Sequence, residues 1–170
     1  SSQLVWEVVK KSIESSDKWL DDLKVLDLTA APWAKTSQIS SIMQNKWMIV
    51  ANELNKIRLD KLKFTLKRQW CKNVEVIEWD ARELKKLYTA WYFDIIVADL
   101  PCSAEGRINF SREKSYSFLD KPGWNKINYK RQADILKNNI DLLKEWWSLI
   151  YSTCTLDPQE NEWILHFLLL

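Results

Sequence analysis

The sequence predicts an α/β fold with a doubly wound, mostly parallel sheet, and two observations predict it. Apolar runs of strand length alternate with stretches of helical period along the whole chain, the pattern left by parallel strands joined through helical crossovers. Acidic, small and thiol-bearing residues gather just after the ends of those runs, and sheets of this kind bind ligands outside the carboxyl ends of their strands.

The elements follow in order. Leu4, Val5, Val8, Val9 and Ile13 mark one face of an opening helix. Lys24 to Leu28 reads as a buried strand, and a loop from Thr29 to Lys35 leads into a helix marked by Ile39, Ile42 and Met43. Met48 to Asn52 is the second strand, and Leu59, Leu62 and Leu66 stripe the helix behind it. Val74 to Ile77 is the third strand, followed by a short helix from Ala81 to Leu87. Phe93 to Ala98 is the fourth. A long polar loop, Pro101 to Asn125, precedes a helix marked by Tyr129, Ala133, Leu136, Ile140 and Leu143. Ser148 to Ser152 is the fifth strand. Asp157, Pro158 and Glu160 read as N-cap, first-turn proline and capping-box glutamate of a last helix.

Composition bounds the function. A length of 170 residues suits one domain, 1–170, with a real core. No apolar run approaches the roughly 18 residues of a membrane span, and Ser1-Ser2-Gln3 does not open a secretory signal. The chain starts without Met and reads as a piece trimmed at both ends. Three cysteines, without metal-ligand spacing, are expected to be free thiols in the cytoplasm; no metal is expected. A net charge of +2 is too small to argue for nucleic-acid binding by itself. The basic cluster Lys61, Lys63, Lys67, Arg68 and Lys72 reads as a solvated helix face.

The residues after the strands are the informative ones. Thr29-Ala30-Ala31-Pro32-Trp33-Ala34-Lys35 joins a strand to a helix through mostly small residues, which let backbone approach a ligand closely. Glu53, ending the second strand, is placed to accept from ribose hydroxyls, and Asp80, after the third, to accept from an adenine amine. Together and in this order they suggest an adenosyl cofactor. Asp99-Leu100-Pro101-Cys102-Ser103 follows the fourth strand and Ser152-Thr153-Cys154-Thr155 the fifth. Free cysteines are usually small buried hydrophobes, the reading given to Cys71. Two cysteines that each follow a strand end are instead expected to share a pocket.

Pro101-Cys102-Ser103, Ser152-Thr153-Cys154-Thr155 and Ala30-Ala31-Pro32 with Lys35-Thr36 resemble the RsmB/RsmF-type (Sun-family) RNA 5-methylcytosine methyltransferases, over nearly the whole chain. The resemblance implies a Rossmann-like class I fold and S-adenosylmethionine as cofactor. It implies a cytosine of ribosomal or transfer RNA, single-stranded or flipped out, as substrate. It implies Cys154 as nucleophile and Cys102 as the helper that releases product, with Asp99 at the base edge and Lys35 assisting the Cys154 thiolate. Cofactor contacts fall on Thr29, Ala30, Ala31, Pro32, Trp33, Ala34, Lys35, Glu53, Asp80 and Asp99, with Arg58 as a further candidate. A monomer is expected. Two rivals stay open: an inactive RNA-binding or assembly module of the same fold, and a DNA cytosine methyltransferase, against which Thr153-Cys154 argues.

The sequence departs from the resembled family in one systematic way. It holds 11 Trp and only 2 Gly, where about 12 Gly are usual for this length. Trp33, Trp47, Trp70, Trp79, Trp146 and Trp147 stand where the family tends to have Gly, Ala104 replaces the Gly usual after Pro-Cys-Ser, and Thr29 replaces a common Cys. The expectation is that many of these tryptophans are UGA codons that mean glycine.

Overall fold

The alternation of apolar runs and helical stretches resolves into five strands and the helices between them. The computed structural model describes residues 2–15, 22–31, 35–109, 111–113 and 124–169. The strands are β1 (Lys24–Asp27), β2 (Met48–Asn52), β3 (Val74–Ile77), β4 (Phe93–Asp99) and β5 (Leu143–Ser152). The helices are α1 (Ser2–Ser15), α2 (Lys35–Ile42), α3 (Lys56–Arg68), α4 (Trp124–Asn139) and α5 (Glu162–Leu169). All strand pairs are parallel, in the order β3-β2-β1-β4-β5. The winding reverses between β1 and β4, so the crevice beyond those two strands is the natural ligand site.

Successive strand residues point to opposite faces, and the core divides accordingly. Val25, Ile49, Ile95 and Val97 pack with Val5, Val9, Ile39 and Met43 beneath α1 and α2. Leu26, Val50, Ile96 and Ala98 pack with Leu84, Leu136 and Ile164 beneath α4 and α5. Leu62 and Leu66 of α3 close over Ala30, Ala31 and Ala51. Among the described residues no helix is long and apolar enough to cross a membrane.

Three elements differ from the sequence expectation. The segment after β3 is a 3-10 helix, Ala81–Lys86. β5 starts at Leu143 rather than Ser148, because a 3-10 turn, Ile140–Leu142, ends the helical period and hands Leu143 to Phe93. The register slips between there and the Ile95–Ser148 pair, which leaves Trp146 and Trp147 in an irregular stretch. The expected capping box is half made. Asp157 accepts from the Gln159 N–H at 2.8 Å, but its own N–H goes to Thr155 Oγ1 at 3.2 Å. Glu160 lies in a short 3-10 turn and points elsewhere.

Among the described residues six non-glycine residues have positive φ: Gln44, Asn45, Trp70, Trp91, Ala104 and Trp146. That conformation costs an L-residue roughly 1–2 kcal/mol. Asn tolerates it well, whereas a bulky residue there is an outlier.

Candidate active site

Asp27 ends β1 in full burial and organises the loop beyond it. It accepts from Thr36 Oγ1 at 2.7 Å and from the Thr29 backbone N–H. Burial pushes its carboxyl up to about 6, against the Thr36 hydrogen bond and helped by the charge of Asp99. Thr29 Oγ1 donates to the Asp99 carbonyl at 2.7 Å, tying the β1 loop to the end of β4. Pro32, Trp33 and Ala34 lie outside the described residues.

Lys35 enters the crevice from the first turn of α2. Its Nζ lies 2.6 Å from Asp99 Oδ2 and donates to Ser152 Oγ at 3.3 Å. Ser152 Oγ donates in turn to Asp99 Oδ1 at 3.0 Å. The lysine charge expected to assist the Cys154 thiol pairs with Asp99 and Ser152. The cluster fixes the Asp99 carboxylate at the point where β4 and β5 end.

The two cysteines meet. Cys102 and Cys154 have their sulfurs 3.1 Å apart, and the Cys154 backbone N–H donates to Cys102 Sγ at 3.3 Å. The Cys154 thiol, then the backbone N–H groups of Cys154 and Ala104, pull the Cys102 thiol down to about 7, against burial and the charge of Glu160. Backbone donors converge on the Cys102 sulfur, which suits it to accept a proton, and either thiol can donate across the 3.1 Å contact. Gly106 closes the far side: its N–H donates to the Cys154 carbonyl at 2.9 Å, and a Cβ there would stand 3.0 Å from that same oxygen.

A buried polar clamp, missed in the sequence, holds both cysteine loops. Glu160 Oε2 accepts from the Ser103 N–H at 3.0 Å and from Gln132 Nε2 at 2.8 Å. Gln132 Nε2 also donates to the Pro101 carbonyl at 2.8 Å, so the two side chains bracket Cys102. Tyr151 Oη donates to the Glu160 carbonyl at 2.6 Å, and Ser103 and Thr155 share a hydroxyl contact of 2.6 Å. Glu160 read as a helix-cap residue, and Gln132 lay on the buried stripe of a helix without comment. The usable signal was that two strongly polar side chains fall at positions facing the core.

Of the other expected cofactor residues, Glu53, Asp80 and Arg58 differ in their freedom. Glu53 is buried at the end of β2, and its Oε1 accepts from the Asn55 N–H at 2.8 Å. A carboxylate has further acceptor capacity. The neighbouring Asn52 donates to the Leu28 carbonyl at 3.0 Å, while its buried Oδ1 finds no partner among the described residues. An acid and an orphaned acceptor side by side suit a hydroxyl-bearing ligand. Asp80 is committed locally: it caps the 3-10 helix through the Arg82 N–H at 2.9 Å and grips the Arg82 guanidinium, which holds its carboxyl below the usual range. The Arg58 backbone N–H donates to the Asn55 cap at 3.1 Å, and its side chain is exposed at the start of α3.

The profile of the family described as 16S rRNA methyltransferase RsmB/F matches residues 18–170. The chain belongs to the RsmB/F methyltransferase family. It is 36% identical over 148 residues to the ribosomal RNA small subunit methyltransferase F of Psychromonas ingrahamii, covering 85% of this chain and 29% of that one. Against its counterpart in Aeromonas salmonicida the identity is 35% over 162 residues, 91% of this chain and 32% of the relative. The chain thus spans under a third of the length of these curated relatives. Among solved structures it resembles NSun6 from Pyrococcus horikoshii with SFG, at TM-score 0.78 and 29% identity, covering 98% of this chain and 40% of that one. A Streptococcus thermophilus rRNA methylase, at TM-score 0.62 and 12% identity, shares the fold over 98% of this chain and 76% of that one. The Rossmann-like class I fold implied by the RsmB/F resemblance is thereby established.

Proposed function

We propose that this chain is the catalytic core of an S-adenosylmethionine-dependent RNA methyltransferase that forms 5-methylcytosine. The observation that carries the reading is the 3.1 Å approach of Cys102 and Cys154 at the ends of adjacent strands. The naming of the curated relatives as ribosomal RNA methyltransferases supports an RNA substrate. The neighbour solved with SFG, an S-adenosylmethionine analogue, supports the cofactor.

Carbon 5 of cytosine is a poor nucleophile. Cys154 passes its proton to Cys102, which releases it to solvent, and the Cys154 sulfur bonds to carbon 6. The displaced π electrons make carbon 5 enamine-like, so one hard step becomes two easier ones. S-adenosylmethionine, when bound, supplies a methyl group on a sulfonium centre. Glu53 suits its ribose hydroxyls with the acceptor capacity that Asn55 leaves, beside the orphaned Asn52 oxygen. The loop from Thr29 to Lys35, with Asp80, Asp99 and Arg58, makes up the rest of the proposed cofactor set. Cys102, as thiolate, then takes the carbon 5 proton. The freed electron pair restores the double bond and expels Cys154. A thiol near 7 suits that duty, because a base works best when its pKa lies close to the working pH. Asp99, held by Lys35 and Ser152, is the partner for the base edge at N3.

The test is transfer from labelled S-adenosylmethionine by the full-length protein to matched RNA and DNA strands, followed by nucleoside analysis. The expected product is 5-methylcytosine in RNA. Methyl on another atom, or in DNA alone, would overturn the reading.

A further inference from the structure

We propose that Glu160 is a positioning residue for Cys102, fixing its sulfur against Cys154 and favouring its use as the proton acceptor. The proposal rests on the two-cysteine mechanism above. Glu160 is fully buried and holds the backbone one residue beyond Cys102, while Gln132, gripped by the same carboxylate, holds the carbonyl one residue before it. A carboxylate here does more than a neutral acceptor would. Its charge opposes negative charge on Cys102 and so makes the thiolate a stronger base. Among the described residues, Cys154 and Tyr151 from β5 and its loop also face Cys102; nearby in the loops, Glu105 accepts from the Leu156 N–H and Lys35 pairs with Asp99. Gln132 from α4 is neutral.

The test is the pH dependence of Cys102 alkylation by iodoacetamide in the full-length protein, read by peptide mass spectrometry. It needs neither RNA nor cofactor, so its failure is separable from that of the proposed reaction. Glu160→Gln is expected to move the Cys102 midpoint down from about 7. Glu160→Asp, which keeps the charge, is expected to stay near the wild-type midpoint. In turnover, Glu160→Gln should accumulate covalent enzyme–RNA adduct, because elimination slows more than addition. An unchanged midpoint and unchanged adduct level in Glu160→Gln, with only the melting temperature lowered, would reduce Glu160 to a structural residue.

We infer that Trp70, Trp91 and Trp146 occupy glycine positions, encoded by UGA codons that the native cell reads as glycine. Three of the six described non-glycine residues with positive φ are these, at 56°, 58° and 67°. Their side chains are 76%, 62% and 100% exposed, so no indole burial offsets the strain. Trp70 stands at the left-handed position of a Schellman motif. Its N–H goes to the Lys67 carbonyl at 3.3 Å and the Cys71 N–H to the Leu66 carbonyl at 3.1 Å, and glycine is the usual residue there. Trp146 sits in the irregular start of β5, and Trp91 precedes β4 with its N–H on the Asp141 carbonyl at 2.8 Å. The chain's 2 Gly and 11 Trp sum close to an ordinary glycine content. Trp47 and Trp147 pack against the core and have no positive φ, so the backbone singles out a subset.

Peptide sequencing of the protein from its native cells, with the gene's codons, decides the matter. Glycine at 70, 91 and 146 over UGA is expected; UGG at these positions would end the inference. Independently, Trp70→Gly, Trp91→Gly and Trp146→Gly combined should raise the melting temperature of the full-length protein, and a lowered one would contradict the strain argument.

Discussion

Asp27 is a buried carboxyl at the end of β1, raised by its burial. Its carboxyl sits at about 6 in the folded chain and near 4 in an unfolded one. Between those values the folded state binds more protons than the unfolded state. Its contribution to stability is therefore full below about pH 4 and falls as pH rises through about 6, by up to about 3 kcal/mol. Asp27→Asn keeps an acceptor for Thr36 and cannot ionise. Urea unfolding between pH 4 and 7 should show the wild type losing stability and the variant losing about 3 kcal/mol less; parallel profiles would show that the Asp27 charge is relieved some other way. Gly106 makes a second residue-scale case. An added Cβ must push the Cys154 carbonyl back by a few tenths of an ångström. Gly106→Ala should therefore slow methyl transfer several-fold, since small misplacements of reacting groups are costly, while thermal unfolding shifts little. Unaltered rates would show the Cys154 loop to be more tolerant than its contacts suggest.

At the scale of elements, the site is where the loops after β1, β4 and β5 are tied together. Gln132 is the hinge-pin from α4, fully buried and bonded to both Glu160 and Pro101. Gln132→Ala strands the Pro101 carbonyl and weakens the hold on Glu160, which should cost roughly 1–3 kcal/mol and raise the exposure of Cys102 to alkylating reagents. A stable variant with wild-type labelling would remove the clamp from the account. Much of this scale was legible in the sequence. The bounds of β2 and β3 and the stripe of α3 follow from burial alone, which leaves a plain apolar pattern. The meeting of Cys102 and Cys154 followed from topology, because parallel strands deliver their ends to one edge. The 3-10 turn before β5 and the Glu160–Gln132 clamp were hidden for a shared reason. Both depend on which partner a polar group finds across the fold, and local periodicity does not record that. The pairing of Lys35 with Asp99 was hidden in the same way, since it is a matter of distance in space.

At the scale of the molecule, the crevice between β1 and β4 brings Thr29 and Lys35, an acid-bearing strand edge and a thiol pair to one side of the sheet. The division of labour between the two thiols is the centre of the account. In the proposed mechanism Cys154 is the sulfur that bonds to the base, and Cys102, the sulfur on which backbone donors converge, is the one that accepts protons. The most direct test is denaturing electrophoresis of the full-length protein after incubation with S-adenosylmethionine and substrate RNA. Cys102→Ala should accumulate a covalent protein–RNA band, because addition proceeds while elimination stalls, and Cys154→Ala should form none. A covalent band from Cys154→Ala, with none from Cys102→Ala, would show that the roles assigned to the two sulfurs are reversed.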